Sequence, residues 1–121
     1  DTQTPPNMIF ARKKANAKDE GIEFNLSKED FIEWYTSVPL ACHYCGLKPE
    51  HFELTGEGLL KRKVNLGLDR VDNQKGYVWG NIVLCCNVCN SIKGGFFKHE
   101  EMKEIAEKFV RIKWAERGIK L

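Results

Sequence analysis

Residues 42–46 read CHYCG and residues 86–90 read CNVCN, so the chain contains two Cys-x-x-Cys pairs. A tight turn within such a pair brings both sulfurs to one side, and four thiolates match a closed tetrahedral zinc site. The ligands predicted for one structural Zn²⁺ are Cys42, Cys45, Cys86 and Cys89. The metal would then staple the polar segment between the two pairs as an inserted hairpin.

The size and composition of the chain indicate one small globular domain. It has 121 residues, of which 42% are hydrophobic and 30% are charged. A core of this size gains stability from a structural metal. Of the five cysteines, four belong to the two pairs, and Cys85 is interpreted as a packed free thiol or as a residue on the other face of the hairpin. A disulfide framework would leave one thiol over and would need an oxidising compartment.

No apolar run approaches the length of a membrane span, and no charged leader with a cleavage site is recognisable. With zinc thiolates as the better explanation of the cysteines, we expect an intracellular, cytoplasmic protein in a reducing environment, with no membrane partner.

Apolar spacing and turn residues predict an α+β fold. A basic helix from Ile9 should end at Gly21, and a second helix should follow Ser27 as its N-cap. Two strands are expected over residues 64–72 and 81–85, with a short helix from Asn90. A last helix near residues 98–117 should bury Met102, Ile105, Ala106, Phe109, Ile112 and Trp114.

Three regions of one domain follow from this pattern. Residues 1–41 are predicted to be a helical extension that packs on the core, residues 42–95 the zinc-bound core, and residues 96–121 a C-terminal helix.

Basic residues are clustered, although the formal net charge is only +2. One cluster lies at residues 12–18, one at residues 61–63, and a third in the C-terminal third of the chain. Each alone is typical of a solvated face, but three clusters around one metal-site candidate favour phosphate contact. The phosphate contacts predicted at residues 61–63 are Lys61, Arg62 and Lys63.

The polar pair Asp69-Arg70 interrupts a strand pattern, because neighbouring residues of a strand face opposite sides. A simple salt bridge between the two would explain the pair. However, Asn90 directly follows the zinc ligand Cys89, which would fix its position. Asp69 and Asn90 offer hard oxygen ligands that suit Mg²⁺ or Mn²⁺.

These motifs resemble the HNH endonuclease superfamily, whose active site is a ββα-metal unit. The resemblance is carried by CHYC at 42–45, LDRVDNQKGY at 68–77, GNIV at 80–83 and CNVCNSIK at 86–93. It covers about residues 42–95. The stretch GIEFNLSKEDF at residues 21–31 also resembles the leader of phage and mobile-element members.

The resemblance implies a residue-by-residue assignment. Asp69 would be the metal-binding acid of the first strand, Asn90 the metal ligand on the helix, and Asn81 the residue that orders the loop between the strands. The chain departs from the family at Arg70, where most members have the His that serves as general base. Arginine cannot accept a proton, so the site is weakened or another residue is the base.

Tyr77 is the base that the resemblance suggests, since some rare-cutting restriction enzymes combine Asp-Arg with a later Tyr. Arg70 would then lower the pKa of Tyr77 from its ordinary value of about 10 and bind the scissile phosphate. Packing of Tyr77 on Trp79 is the alternative.

His43 and Lys93 are two further candidate residues of the site. His43 either lines the active site beside Asp69 or is a surface ring next to the zinc. Lys93, one turn after Asn90, is predicted to contact phosphate. His51 and His99 are assigned no chemistry.

The predicted function is metal-dependent hydrolysis of phosphodiester bonds in DNA. The alternatives are a non-catalytic, zinc-bound DNA-binding module derived from such a nuclease and a zinc-stabilised protein-interaction domain. The sequence leaves open the recognition site, nicking or double-strand cleavage, and the biological role. It also leaves open whether the chain forms a homodimer.

Overall fold

The computed structural model describes residues 3–56 and 63–121 and confirms the α+β fold. Its elements in chain order are α1 (Pro6–Glu20), α2 (Lys28–Ser37), a 3₁₀ helix (Pro49–Leu54), β1 (Leu66–Arg70), β2 (Ile82–Cys86), α3 (Asn87–Lys93), α4 (His99–Ile105), a π-helical turn (Ala106–Val110) and α5 (Arg111–Glu116). None of the described helices has both the length and the apolar character needed to cross a bilayer.

The two N-terminal helices end and begin where their capping residues predict. Gly21 adopts a left-handed conformation with φ of 70° and closes α1. The Ser27 hydroxyl oxygen accepts a hydrogen bond from the Asp30 amide at 3.2 Å and caps α2. Inside α2, Phe31 is fully buried and its ring packs on Trp34. Phe31 therefore anchors α2 in the core, with Trp34 packed against it.

The strands form an antiparallel hairpin in which Gly67 pairs with Cys85 and Asp69 with Val83. Because side chains alternate along a strand, Gly67 and Asp69 share one face of β1, whereas Leu68 and Arg70 point to the other. Both strands are confirmed, but β1 is shorter than the predicted residues 64–72.

The loop between the strands is held by Asn81, as predicted. Its buried side-chain oxygen accepts a hydrogen bond from the Asp72 amide at 2.8 Å, and its nitrogen donates to the carbonyls of Asp72 at 3.1 Å and Gly76 at 2.8 Å. Three hydrogen bonds made by one side chain therefore order this turn.

The helix after β2 begins three residues earlier than the predicted start at Asn90. Cys86 takes the N-cap position, and its sulfur accepts a hydrogen bond from the Cys89 amide at 3.4 Å. Cys86 thus caps the start of α3 as well as belonging to the thiol cluster.

The C-terminal helix differs from its prediction in register. Met102, Ala106, Val110 and Trp114 are its buried residues. The prediction of buried Phe109 and Ile112 is wrong, since 64% and 54% of these side chains are exposed. The π-helical turn at Ala106–Val110 accounts for this change, because its wider turn shifts the buried face onto every fourth residue.

The N-terminal segment is joined to the hairpin by a parallel bridge between Phe24 and Tyr77. The Tyr77 amide donates to the Glu23 carbonyl at 2.8 Å, and the Asn25 amide donates to the Tyr77 carbonyl at 2.9 Å. These two backbone segments approach so closely that a Cβ atom at Gly76 would lie 2.4 Å from the Glu23 carbonyl oxygen. Only glycine fits at this position without displacement of the backbone.

Candidate active site and thiol cluster

A buried cluster of four thiols joins the two ends of the predicted core. The sulfurs of Cys42, Cys45, Cys86 and Cys89 all lie within 4.8 Å of one another. The distance between the Cys45 and Cys86 sulfurs is 3.8 Å. Tetrahedral coordination with metal–sulfur bonds of about 2.3 Å requires sulfurs roughly 3.8 Å apart. The cluster therefore has the spacing to hold a metal ion such as zinc.

Neighbouring groups support this cluster. The Trp114 indole nitrogen donates a hydrogen bond to the Cys45 sulfur at 3.3 Å, which ties the C-terminal helix to the first pair. Cys85 is not one of the four and donates to the Cys86 carbonyl at 3.3 Å. Cys85 is therefore a packed thiol, as predicted.

The thiols of the cluster do not ionise independently of one another. Hydrogen bonds, first from Cys45 and then from the other thiols, hold the pKa of Cys42 far below its ordinary value. The pKa of Cys89 is raised, mainly by its hydrogen bond with Cys42. One thiolate in the cluster thus disfavours ionisation of the other thiols, because like charges repel.

The carboxylate of Asp69 is buried, with only 7% of the residue exposed. Its Oδ2 atom accepts a hydrogen bond from the Tyr44 hydroxyl at 3.1 Å and lies 3.3 Å from the Lys93 ammonium. Within the described part of the chain, Oδ1 has no hydrogen-bond partner. One oxygen is thus fixed by the protein, while the other is available for a ligand.

Lys93 corrects the expectation of a phosphate contact. The residue is 0% exposed, and its ammonium also donates to the Arg70 carbonyl at 2.8 Å and to the Asn73 side-chain oxygen at 2.9 Å. An ammonium has three N–H donors, and these two acceptors together with Asp69 use all of them. Lys93 is therefore a buried structural cation.

Asn90 lies on α3, three residues before Lys93, so both side chains project from one side of the helix toward β1. It lines a cleft of about 290 Å³ together with Gly67 and Cys85. Its side-chain amide has no hydrogen-bond partner among the described residues. Asp69 lies on the Gly67 face of β1, about 7 Å further along the strand.

Arg70 and Tyr77 meet on the opposite face of β1. The Arg70 guanidinium carbon lies 5.4 Å from the centre of the Tyr77 ring. Its Nη1 atom donates to the carbonyls of Asn73 at 3.2 Å and Lys75 at 3.0 Å. The salt bridge considered between Asp69 and Arg70 is therefore not the contact that either residue makes. Arg70 binds backbone carbonyls of the loop, whereas Asp69 is paired with Lys93.

The pKa of Tyr77 differs from its prediction. Burial raises the pKa above 10, and the nearby charge of Arg70 only partly opposes this effect. The expectation that Arg70 leaves Tyr77 with a depressed pKa is wrong in the net direction, because only 8% of the tyrosine is exposed. Its ring packs on Phe24 at 5.7 Å, and not on Trp79, which is exposed.

The fold resembles one solved structure over nearly its whole length. The rare-cutting HNH restriction endonuclease PacI, whose structure is described as exhibiting an extraordinary mechanism of DNA perturbation, superposes with a TM-score of 0.80. The two chains are 31% identical, and the match covers 93% of this chain and 81% of that one. This chain belongs to the HNH endonuclease superfamily.

Comparisons with other protein sequences and with protein-family models give less information about the function of this HNH chain. The uncharacterised protein R423 of Acanthamoeba polyphaga mimivirus is 33% identical over 84 residues. That match covers 69% of this chain but only 13% of the viral protein. No protein-family model matches the chain.

His43 is the predicted residue of the HNH site that lies in the first Cys-x-x-Cys pair. His43 is exposed, and its Nε2 atom lies 2.9 Å from Nε2 of His99. Partial desolvation of the ring, followed by the charges of His99 and Lys103, lowers the pKa of His43. Its ring lies 5.1 Å from the ring of Tyr44, which bonds to Asp69. His43 is therefore connected to Asp69 indirectly, through the side chain of Tyr44.

Of the predicted phosphate contacts at residues 61–63, Lys61 and Arg62 lie outside the described residues. Lys63 is exposed, and its carbonyl accepts a hydrogen bond from the Asn87 side chain at 2.9 Å.

Sequence reasoning missed two residues of this HNH site. Tyr44 lies between two predicted zinc ligands, so its rigid position could have been inferred from the CHYC motif. Nothing in the sequence indicated that His99 would contact His43, since the contact depends on how α4 packs.

Proposed function

We propose that this HNH chain hydrolyses phosphodiester bonds in DNA with one divalent cation, Mg²⁺ or Mn²⁺, held by Asp69 and Asn90. The observation that carries the proposal is the pair of unused oxygen ligands: Oδ1 of Asp69 on β1 and the amide of Asn90 on the facing side of α3. Hard oxygen ligands of this type suit Mg²⁺, which keeps waters and takes substrate phosphate oxygens in its other positions. The thiol cluster would hold a structural zinc ion that fixes α3 against the hairpin.

The residues around Asp69 support its role as a ligand. Tyr44 donates to Oδ2, and the Lys93 ammonium contacts the same atom, so the carboxylate is held in one orientation. A ligand fixed by such outer contacts needs no reorganisation when a metal binds. The bound cation would supply charge stabilisation to the scissile phosphate and its leaving oxygen.

The acid–base part of the proposal assigns Tyr77 as the acceptor of a proton from the attacking water, directly or through a second water. The accepting form is the tyrosinate, which Arg70 stabilises because its guanidinium lies over the ring. Transfer of the proton returns Tyr77 to its neutral hydroxyl form and leaves hydroxide to attack the phosphate. The charge of Arg70 would also stabilise negative charge that develops on the phosphate. The raised pKa of Tyr77 keeps the residue neutral at rest, so the ionised form is a minor species at neutral pH.

A second candidate function is non-catalytic binding of DNA. The ion pair between Asp69 and Lys93 favours it, because a buried ammonium already neutralises the carboxylate without a metal. A site that had lost its cation could be stabilised in this way.

Cleavage of supercoiled plasmid with Mg²⁺ or Mn²⁺, compared with EDTA, separates the two functions. We expect cleavage only with the metal, and its loss in Asn90→Ala with thiol-bound metal and stability retained. Ser91→Ala, at an exposed position of the same helix, is the matched control and should cleave normally. Asp69→Ala should also be inactive, but it strands the buried Lys93 charge and so also affects folding. Normal cleavage by Asn90→Ala contradicts the proposed ligand set.

A further inference from the structure

Helix α1 forms one wall of the cleft that contains Asn90. The other walls are β1 and the first residues of α3. From α1 the cleft receives Arg12, Lys13 and Asn16, and Gly67 lies at its floor. Arg12 and Lys13 belong to the basic cluster at residues 12–18, for which the sequence predicts phosphate contact without naming individual residues.

The lining of this cleft is suited to an anion. Two cationic side chains come from α1, and side-chain amides come from Asn16 and Asn90. The side chains of Asn65 and Asn87 also line the cleft but are hydrogen-bonded within the protein, to the Thr4 amide and the Lys63 carbonyl. None of the described residues that line the cleft is acidic. No ion pair between described residues engages Arg12 or Lys13. A phosphate backbone in this cleft would therefore meet the positive charge of Arg12 and Lys13 and the amides of Asn16 and Asn90.

Gly67 leaves room for a strand of nucleic acid to approach β1. A Cβ atom added at this position would meet no heavy atom within 4 Å, and the backbone is not in the left-handed region. The glycine is therefore required neither by packing nor by conformation. What its missing side chain provides is open space beside the face of β1 that carries Asp69.

We infer that this cleft binds the sugar–phosphate backbone of the DNA strand that enters the site, with Arg12 and Lys13 contacting its phosphates and Gly67 leaving space for it. The inference rests on the proposed function, because it names the path of the substrate to the same site. It assigns the N-terminal helix to DNA binding, independently of which residue is the general base.

The test compares two double variants of the same helix. Arg12→Ala/Lys13→Ala removes the two cations that line the cleft. Lys14→Ala/Lys18→Ala removes the same charge from α1, but its residues line an apolar groove on the other side of the helix. Binding of a fluorescent DNA duplex is measured across a salt series in EDTA, where cleavage cannot occur.

We expect the first variant to flatten the dependence of log affinity on log salt by about 0.9 for each lost phosphate contact, and so by about 1.8 in total. The control variant should retain the slope of the unmodified chain. Equal slopes for the two variants overturn the inference, as does an absence of DNA binding by the unmodified chain.

A second measurement tests the space at Gly67 without removing any charge. Gly67→Leu should fold with unchanged stability yet bind the duplex more weakly than Gly67→Ala, because only the larger side chain fills the cleft. Equal binding by both overturns the inference. If the unmodified chain binds DNA through Arg12 and Lys13 but never cleaves it with metal, the cleft is supported and the proposed nuclease activity is overturned.

Discussion

The ammonium of Lys93 lies 3.3 Å from Oδ2 of Asp69, in a site where neither side chain is freely accessible to solvent. The lysine projects from α3 and the aspartate from β1, so the ion pair connects the helix to the hairpin. A buried charge of this kind is tolerated only when it is paired and hydrogen-bonded. The pair therefore bears on both stability and the candidate site.

Lys93→Met should lower the free energy of unfolding by about 3–5 kcal/mol, because it leaves the Asp69 charge buried without its partner. Urea denaturation followed by circular dichroism measures the change. Lys108→Met is the control, since it removes an exposed ion pair with Glu104 and should have little effect. Equal stability of the two variants would show that the Lys93 pair does not hold α3 in place.

Metal analysis should find one tightly bound zinc ion per chain. Cys86→Ser should lose the ion and much of the stability of the chain, because binding energy at such a site is folding energy. Cys85→Ser changes a neighbouring buried thiol outside the cluster and should keep the ion. Full stability of the Cys86→Ser protein, or equal metal loss in both variants, argues against the four-thiol site.

Tyr44→Phe should raise the concentration of Mg²⁺ that gives half-maximal cleavage by about 10–100-fold, the usual effect of removing an outer partner of a metal ligand. The ring remains, so only its hydrogen bond to Asp69 is lost. The maximal rate at saturating metal should change much less than the metal requirement. An unchanged metal requirement would mean that Tyr44 serves packing alone.

Tyr77→Phe should reduce the cleavage rate by about 10²-fold or more, which is the usual contribution of a positioned base. Burial raises the pKa of Tyr77 above 10, so the ionised fraction grows about tenfold per pH unit below that value. The rate of the unmodified chain should rise with this slope between about pH 7 and 9.

That slope should disappear in Tyr77→Phe. Tyr35→Phe, which alters the same aromatic cluster away from Arg70, should keep both the rate and the slope. A Tyr77→Phe protein with the original rate and pH profile would remove Tyr77 from catalysis and make His43 the next base to test.

How far the sequence predicts this molecule depends on how local each feature is. The Cys-x-x-Cys pairs, the Ser27 cap and the loop held by Asn81 depend on near neighbours, and all three were predicted. The buried face of the C-terminal helix was wrong beyond Ala106, because a regular period of 3.6 cannot anticipate a π-helical turn. Such a turn is stabilised by packing of the whole helix on the core.

The candidate site shows the same limit. The motifs named Asp69 and Asn90, but the only charged partner considered for Asp69 was Arg70, in the alternative explanation, and its partner in the structure is Lys93. Spacing along a helix shows that Lys93 shares a side with Asn90, yet it cannot show whether the long side chain reaches solvent or folds inward. Likewise, the charge of Arg70 was a correct reason for a lower pKa at Tyr77, but burial was the larger effect.

The close backbone contact between Gly76 and Glu23 has a consequence for the construction of hybrid nucleases. Tyr77 bonds through its backbone to Glu23 and Asn25, and there is no room at residue 76 for even a methyl group. The N-terminal region therefore cannot be exchanged independently of the metal-binding unit between family members. A functional chimera has to take residues 23–25 and 76–77 from the same parent, with its crossover point placed outside both segments.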